Sequence, residues 1–447
     1  MSELTSTPQE PQQDFLSRSL FATLNLDLEK GLYILLIILA LITRFYALGD
    51  RVVSHDESLH TQFSYQFYNG DGYVHQALMH GPFLFHATAA SYWLFGDNDF
   101  TSRIPVALLG VILVALPYLL RDWLGRKGAL FTSFIFLISP YLLYYSRYIR
   151  HDIYVSTWAL MVFIATIYYL RQTKDKYLWW FAAGNALMFA TKEVSFIYVA
   201  IFGSFLVLRL LPQILVAPWL QKSREKLLIP LVVVAIGLVI AGGSFLINRS
   251  AEEAVSQATA TATSEGFAVD PNVAASSEAA SETSIWGWLI VLGIVVSGTG
   301  LLYTANAMRP HIDQYPEFNL IVLFTVLILP MVAPFLVSLV GCNPNEYTMS
   351  TCMLAGQETM TPLQIFFARL TQDTCRQAFF SSGLVHSGSF LIAMLAISVI
   401  VGYWWNRRRF FIAAAIFHTI FAVLYTSVFT NLGGWASGMI GSLGYWL

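Results

Sequence analysis

Acidic, basic and histidine side chains recur in the first half of the chain, where apolar segments end. Charged groups beside a bilayer are costly to place, and they are candidates for function for that reason. A carboxylate can deprotonate a hydroxyl group, and Arg or Lys can bind phosphate oxygens and stabilise charge on a leaving group. The candidates are Asp56, Glu57, His80, Arg147, Arg150, Asp152, Lys192 and Glu193.

These residue types suit the transfer of a sugar from a lipid phosphate. The donor would keep its tail in the bilayer and its phosphate at the surface, where Arg and Lys could bind it. A carboxylate could take the proton of an acceptor hydroxyl, and a second carboxylate or a histidine could hold a divalent cation against the phosphate. The plainer interpretation of Asp56 and Glu57 is two solvated carboxylates at the start of a helix.

The composition limits the elements that can position these side chains. Of the 447 residues, 56% are hydrophobic and 12% are charged, and the mean hydropathy is +0.60. Soluble domains usually carry about 25% charged residues, so a soluble enzyme is excluded. The net charge of −2 provides no basic surface for nucleic acid. A polytopic membrane protein remains, whether transporter, channel or intramembrane enzyme.

Apolar segments long enough to cross a bilayer as helices recur along the chain. They predict an all-α polytopic membrane protein with about 11 transmembrane helices. Most Lys and Arg residues fall on alternate connecting segments, which places the N-terminus in the cytoplasm and residues 50–102 outside. The predicted spans are 31–49, 103–121, 128–145, 153–170, 177–191, 194–211, 227–247, 285–307, 318–340, 386–405 and 410–429.

Changes in composition and charge divide the chain into four parts. A cytoplasmic tail, residues 1–30, precedes a transmembrane module, residues 31–211, which holds every candidate residue. Residues 212–429 add further spans, and residues 430–447 form an outer C-terminal segment. We therefore expect the chemistry to lie in the module at 31–211.

Outer loop one, residues 50–102, is expected to contain helices that do not cross the membrane. Leu59, Phe63 and Phe67 follow one another at a spacing of four, which predicts an amphipathic helix along the outer membrane surface. The apolar run at 83–95 is too short to span and predicts an interfacial or re-entrant segment. Together these helices would form a lid at the membrane surface.

Two later outer loops differ from the first. Residues 249–284 are rich in Ala, Ser, Thr and Glu, which predicts a flexible loop without a packed core. The loop at 341–385 holds all three cysteines, and an outer compartment permits disulfides. Proximity favours Cys342 with Cys352, and three unpaired thiols are the alternative.

The order and spacing of these motifs resemble the GT-C superfamily of membrane glycosyltransferases, and within it the dolichyl-phosphate-mannose protein mannosyltransferase-like branch. The resemblance covers residues 31–210. Many relatives have His-Pro-Pro where this chain has His80-Gly81-Pro82, and Gly81 is expected to loosen the backbone there. The matching motifs are Asp56-Glu57, His80-Gly81-Pro82, the segment 100–105, the inner turn 124–129, the segments 139–140 and 146–152, and Thr191-Lys192-Glu193.

The resemblance implies a GT-C-like helical bundle and a glycosyltransferase of inverting stereochemistry. Its donor would be a polyprenyl-phosphate-linked sugar, and its acceptor a glycan, lipid or protein on the extracytoplasmic face of the cell membrane. Asp56 would be the catalytic carboxylate with Glu57 as its partner, and Arg150 and Lys192 would bind the donor phosphate. Asp56 and Asp152 would hold a divalent cation, Mg²⁺ or Mn²⁺. The expected supporting residues are His80, Arg147, Asp152 and Glu193.

A narrower likeness is to the flippase-activity-associated family of archaeal N-glycosylation gene clusters. It is carried by residues 54–58, 80–82 and the Gly-rich segment 430–447. Relatives usually continue beyond that segment, so we expect a truncated or split member. A lipid-linked-saccharide flippase and a non-catalytic scaffold remain alternatives, although transporters usually place polar groups near the bilayer midplane.

Overall fold

The fold is helical, as the composition predicts. The computed structural model describes residues 19–21, 26–264, 285–312, 314–345, 354, 356, 359–373, 375–376 and 383–447. A short antiparallel pair of strands, β1 (Ser19–Phe21) and β2 (Leu26–Asp27), precedes the first helix. The remaining regular structure in these ranges consists of helices, which confirms the all-α class.

The first of two compact units comprises Met1–Tyr73 and Pro82–Ala165. Short loops and 3-10 turns connect its helices. They are α1 (Leu28–Phe45), α2 (His55–Asn69), α3 (Phe83–Phe95), α4 (Asp99–Ala115), α5 (Arg121–Ile138), α6 (Pro140–Tyr145) and the first part of α7 (Asp152–Gln172).

The second unit comprises Val74–Gly81 and Thr166–Leu447. It includes the 3-10 turns Ala77–Met79 and Leu329–Val332 and a helical segment near the end of the sequence, Gly433–Gly444. The longer helices are the end of α7, α8 (Asp175–Phe189), α9 (Ser195–Leu215), α10 (Pro218–Ser264), α11 (Ile285–Ile312), α12 (Pro316–Ile328), α13 (Ala333–Leu339), α14 (Pro362–Thr371) and α15 (Gly383–Tyr425).

Seven helical stretches of the described residues are long and apolar enough to cross a membrane. The chain is therefore a multi-pass membrane protein. Two of the seven, Asp99–Ile138 and Val385–Tyr425, each cover two predicted spans, and non-helical backbone at Gly125 and Asn406 interrupts them. The count of about 11 spans stays a prediction.

Local sequence explains the two helices in the segment predicted as outer loop one. A capping box starts α2, because the Ser54 hydroxyl accepts from the Glu57 amide and the Glu57 carboxylate accepts from the Ser54 amide. Gly70 ends the helix in the left-handed region at φ +92°. With 13 residues, α3 is too short to span, as predicted.

Two expectations for the later loops need correction. Helix α10 continues to Ser264, so the first part of the predicted flexible loop at 249–284 is helical, and residues 265–284 lie outside the described residues. Cys375 is disulfide-bonded. A disulfide between Cys342 and Cys352 would leave Cys375 unpaired, so that predicted pairing is wrong. The alternative of three unpaired thiols is wrong for the same reason. Cys352 itself lies outside the described residues.

Small residues let α10 and α11 approach closely in the second unit. A side chain at Gly293 would collide with the Ala241 amide and the Gly237 carbonyl, and one at Gly237 would collide with Ser297. Glycine, alanine and serine at helical spacing are the usual means by which membrane helices pack backbone to backbone.

We predict opposite effects for two glycine substitutions in α11. Gly293→Ala should destabilise the protein by about 1–3 kcal/mol, because the new methyl group overpacks the contact with α10. Gly298 has open space around it, so Gly298→Ala should stabilise the helix by about 0.5–1 kcal/mol. Thermal unfolding of both variants in detergent measures the difference, and equal shifts would contradict the packing described here.

Candidate functional site

A buried carboxylate organises the first unit. The side chain of Glu57 is fully buried, and its Oε1 accepts hydrogen bonds from Arg103 Nε at 3.1 Å and from the Ile149 amide at 3.2 Å. Its Oε2 accepts from Arg51 Nη2 at 2.8 Å, from Arg103 Nη2 at 3.2 Å and from the Ser54 amide at 3.2 Å. Glu57 therefore ties α2 to α4 and to the segment before α7.

These hydrogen bonds decide the charge of Glu57. Burial on its own would raise the pKa of the Glu57 carboxyl, because an apolar surrounding disfavours the ionised form. The Arg103 guanidinium and the Ser54 and Ile149 amides outweigh burial, and the pKa is lowered from its ordinary value. Glu57 is thus an ionised structural carboxylate whose oxygens are already occupied.

The neighbouring residue, Asp56, has a different environment. Its side chain is 45% exposed, and Oδ2 lies 3.4 Å from Arg150 Nη1. Arg150 also faces Asp152, with 3.7 Å between Nε and Oδ2. The structure therefore brings Asp56, Arg150 and Asp152 together, with one guanidinium between two carboxylates.

Two buried histidines are close to these residues in sequence and contact each other. The His60 ring lies 5.1 Å from the His151 ring and stacks on Phe85 at 5.8 Å. His60 Nδ1 donates to the backbone carbonyl of Asp56 at 2.6 Å. An aromatic layer thus supports the residues on either side of the Asp56–Arg150 contact.

Sequence reasoning left two basic residues out of the predicted site. Arg51 and Arg103 bind the Glu57 carboxylate, and Arg51 also lies over the Tyr148 ring, 5.0 Å from its centroid. One signal pointed to them: Arg51 falls in the predicted outer segment 50–102 and Arg103 at the outer end of the next predicted span, where basic residues should be scarce.

Arg147, a predicted supporting residue, caps the end of α1. Its Nη1 donates to the carbonyls of Thr43, Arg44 and Tyr46 at 3.0, 3.2 and 2.7 Å, and its Nη2 donates to Ala47 O at 3.2 Å. Cations commonly satisfy the last carbonyls of a helix in this way. These contacts hold α1 in place and engage the guanidinium of Arg147.

The second unit contains the other predicted site residues. His80 Nδ1 donates to Glu193 Oε2 at 2.7 Å, so the two predicted supporting residues form a pair. Lys192 lies in the turn between α8 and α9, where its amide donates to Met188 O at 3.2 Å and its carbonyl accepts from the Ser195 amide at 3.1 Å. The Lys192 side chain is partly buried.

Gly81 does not act as a loosening residue, which corrects the expectation from sequence. Its amide donates to Thr191 O at 3.1 Å, and a side chain at this position would collide with the Ala190 carbonyl. Proline, which many relatives have here, lacks the N–H and carries a Cβ. Glycine is therefore required for close approach of the two turns.

Comparison with known proteins gives one family match. Residues 79–241 match the sequence model of the family described as dolichyl-phosphate-mannose-protein mannosyltransferase. The resemblance read from the motifs is thus confirmed for that part of the chain. The narrower likeness to the flippase-activity-associated family stays a prediction. No curated protein matches the chain.

Similar solved structures include a bacterial and an archaeal protein. ArnT from Cupriavidus metallidurans is 16% identical in its apo state, with 92% of this chain and 78% of that chain covered and a TM-score of 0.34. Its structure bound to undecaprenyl phosphate is 15% identical, with a TM-score of 0.35 and the same coverage. The archaeal oligosaccharyltransferase AglB from Archaeoglobus fulgidus, in complex with an inhibitory peptide and a dolichol-phosphate, is 14% identical with a TM-score of 0.37. The match covers 91% of this chain and 51% of the AglB chain, so this chain spans about half the length of AglB.

We predict that Glu57 contributes to folding stability far more than Asp56 does. Glu57→Ala should cost about 3–5 kcal/mol, because it leaves the buried guanidinium of Arg103 without its counter-charge. Asp56→Ala removes a half-exposed ion pair and should cost less than about 1 kcal/mol. Denaturant or thermal unfolding in detergent at pH 7 compares the two variants, and equal losses would contradict the structural role of Glu57.

The contribution of Glu57 should also depend on pH. The folded-state pKa is lowered below the ordinary value of 4.5, so the stabilisation is complete above the unfolded-state pKa and is lost as the pH falls through the folded-state pKa. The stability difference between the wild type and Glu57→Gln should therefore shrink below pH 4.5. A stability difference that grows as the pH falls would contradict the lowered pKa of Glu57.

Proposed function

We propose that the chain is a membrane glycosyltransferase that uses a polyprenyl-phosphate-linked sugar and acts on the extracytoplasmic face. One observation carries the proposal: of two adjacent carboxylates at the start of α2, Glu57 is buried and fully engaged, whereas Asp56 is half-exposed beside Arg150. A rigid helix start thus presents a single accessible carboxylate. The family match over residues 79–241 supports the reaction class.

In the proposed reaction, Asp56 is the general base. Its carboxylate takes the proton of the acceptor hydroxyl, the acceptor oxygen forms a bond to the anomeric carbon, and the bond from that carbon to the phosphate oxygen breaks. The electron pair leaves with the phosphate. Attack from the face opposite the leaving group inverts the anomeric centre. The acceptor is a glycan, a lipid or a protein with a free hydroxyl group.

Basic residues bind the departing phosphate in this proposal. Arg150 lies between Asp56 and Asp152 in the first unit, so it can orient Asp56 and offer its remaining N–H groups to a phosphate oxygen. In the second unit, the resemblance assigns the donor phosphate to Lys192. His80, Glu193 and Arg147 act through structure rather than by contact with the reacting atoms.

A divalent cation, Mg²⁺ or Mn²⁺, stays a prediction. Asp56 and Asp152 would hold it, and carboxylate oxygens are suitable ligands. The described residues contain no cluster of three or more His, Cys, Asp or Glu side chains that could bind a metal, and Arg150 faces both carboxylates. The residues therefore do not form a metal site by themselves, and the reaction above uses no metal.

The assignment of Asp56 has a direct test. Asp56→Asn should lower transfer in membranes supplied with polyprenyl-phosphate sugar about 10²–10⁴-fold, the usual contribution of a general base, with unfolding unchanged. Asp71→Asn, an exposed aspartate after α2, is the matched control and should retain activity. Full activity of Asp56→Asn would overturn the assignment. Lipid crossing reconstituted vesicles without covalent product would favour a flippase instead.

Removal of the Lys192 charge should mainly affect donor binding. Lys192→Ala should raise KM for the polyprenyl-phosphate sugar about 10–100-fold, because a hydrogen bond to a charged group contributes about 1.5–3 kcal/mol. Steady-state kinetics over donor concentration provides the measurement, with Lys176→Ala, a lysine at the start of α8, as control. An unchanged KM would remove Lys192 from the donor site.

A further inference from the structure

His80 has a backbone conformation that few residues with a side chain adopt. Its φ is +63° and its ψ is −161°, a region that glycine occupies readily and other residues rarely do. A residue remains in such a conformation only where its surroundings enforce it. His80 immediately precedes Gly81, the residue that packs against the turn after α8.

Contacts on both sides of His80 enforce this conformation. The His80 amide donates to Ala77 O at 3.1 Å, and the next amide, that of Gly81, donates to Thr191 O at 3.1 Å. The His80 ring donates to Glu193 at 2.7 Å. The Ala190–Glu193 turn is therefore bound by the ring of the strained residue and by the backbone amide of the next residue, Gly81.

The C-terminal segment adds a second set of contacts. The Trp446 ring stacks on the His80 ring, with 5.9 Å between centroids and 15° between planes. Tyr425 donates from its hydroxyl to the carbonyl of Phe189, the last residue of α8, at 3.1 Å. His75 is bonded to Ser437, with 3.0 Å between Nδ1 and Oγ. The segment 74–81, the end of α8 and the residues from Tyr425 onward are thus connected to one another.

These contacts leave the turn little freedom. Lys192 and Thr191 both donate their amides to Met188 O, so the turn has local hydrogen bonds of its own. Those bonds fix the turn relative to α8. The position of the turn relative to the segment 74–81 depends on other contacts. These are the hydrogen bond from His80 to Glu193, the bond from the Gly81 amide to the Thr191 carbonyl, and the close approach of Gly81 to Ala190.

We propose that His80 is a positioning residue for the Ala190–Glu193 turn, and that its strained conformation holds Lys192 in place for the donor phosphate. The inference rests on the proposed function for the role of Lys192. Glu193 is the partner through which His80 acts, and neither residue takes part in bond making.

The variant His80→Gly separates strain from positioning. Glycine adopts the same backbone angles without strain, so the variant should fold at least as well as the wild type while losing the bond to Glu193. Hydrogen exchange of the Thr191 and Lys192 amides, followed by mass spectrometry, should become at least tenfold faster. Exchange at wild-type rates would overturn the proposal.

A double-mutant cycle tests the pairing with Glu193. Glu193→Ala should accelerate the same amides as His80→Gly, and the double variant should add little, because residues that act through one contact are not additive. Glu193→Gln retains an acceptor oxygen and should restore most of the protection. Fully additive effects would show that the two residues act separately. His55→Ala, at the exposed start of α2, is the control and should leave these amides unchanged.

Kinetics provides the functional readout. His80→Gly should raise KM for the polyprenyl-phosphate sugar about tenfold with a smaller change in kcat, whereas a lower kcat at unchanged KM would overturn the positioning role. A wild-type protein without any transfer activity would contradict the proposed function. In that case the hydrogen-exchange comparison still decides whether His80 positions the turn.

Discussion

The buried ion pair between Glu57 and Arg103 is the constraint on which the first unit depends. Both side chains are fully buried, and a buried charge is tolerated only when paired and hydrogen-bonded. Arg51 and two backbone amides complete the coordination of the carboxylate. The start of α2 is consequently fixed against α4 and against the segment before α7. Because Asp56 is the preceding residue on the same helix turn, its position follows from the burial of Glu57.

Adjacent carboxylates have different roles here because of helix geometry. Neighbouring side chains on a helix point about 100° apart, so Glu57 faces the interior when Asp56 faces the solvent and Arg150. The sequence predicted that the pair lies at a helix start, where negative charge is favourable. It did not predict which carboxylate is buried, since that depends on Arg103, which lies 46 residues further along the chain.

Local patterns predicted the helices better than they predicted the contacts of polar groups. The all-α class, the short helix Phe83–Phe95 and the surface helix His55–Asn69 followed from apolar spacing and length. The roles of Arg147 and Gly81 did not, because each depends on a carbonyl group distant in sequence. Composition was also a poor guide at residues 249–264, where a polar, alanine-rich segment continues a helix. Alanine favours helix whether or not the segment is buried.

The charge arrangement in the first unit also separates two tasks that one carboxylate could not combine. A carboxylate with a lowered pKa is a weaker base, so Glu57, held by Arg103 and two amides, suits structure and not proton transfer. Asp56 meets one guanidinium at 3.4 Å and remains open to solvent. The number of hydrogen-bond donors around each carboxylate therefore distinguishes the structural role of Glu57 from the proposed catalytic role of Asp56.

The partners of Glu57 also set an order of events during synthesis. The Ile149 amide that completes its coordination lies 92 residues later in the chain, beyond α3, α4 and α5. Until that segment has been synthesised, one of the five hydrogen bonds to the carboxylate cannot form. The coordination that fixes the start of α2 is therefore completed only after α3, α4 and α5 have been translated. The position of Asp56 depends in this way on a segment far along the chain.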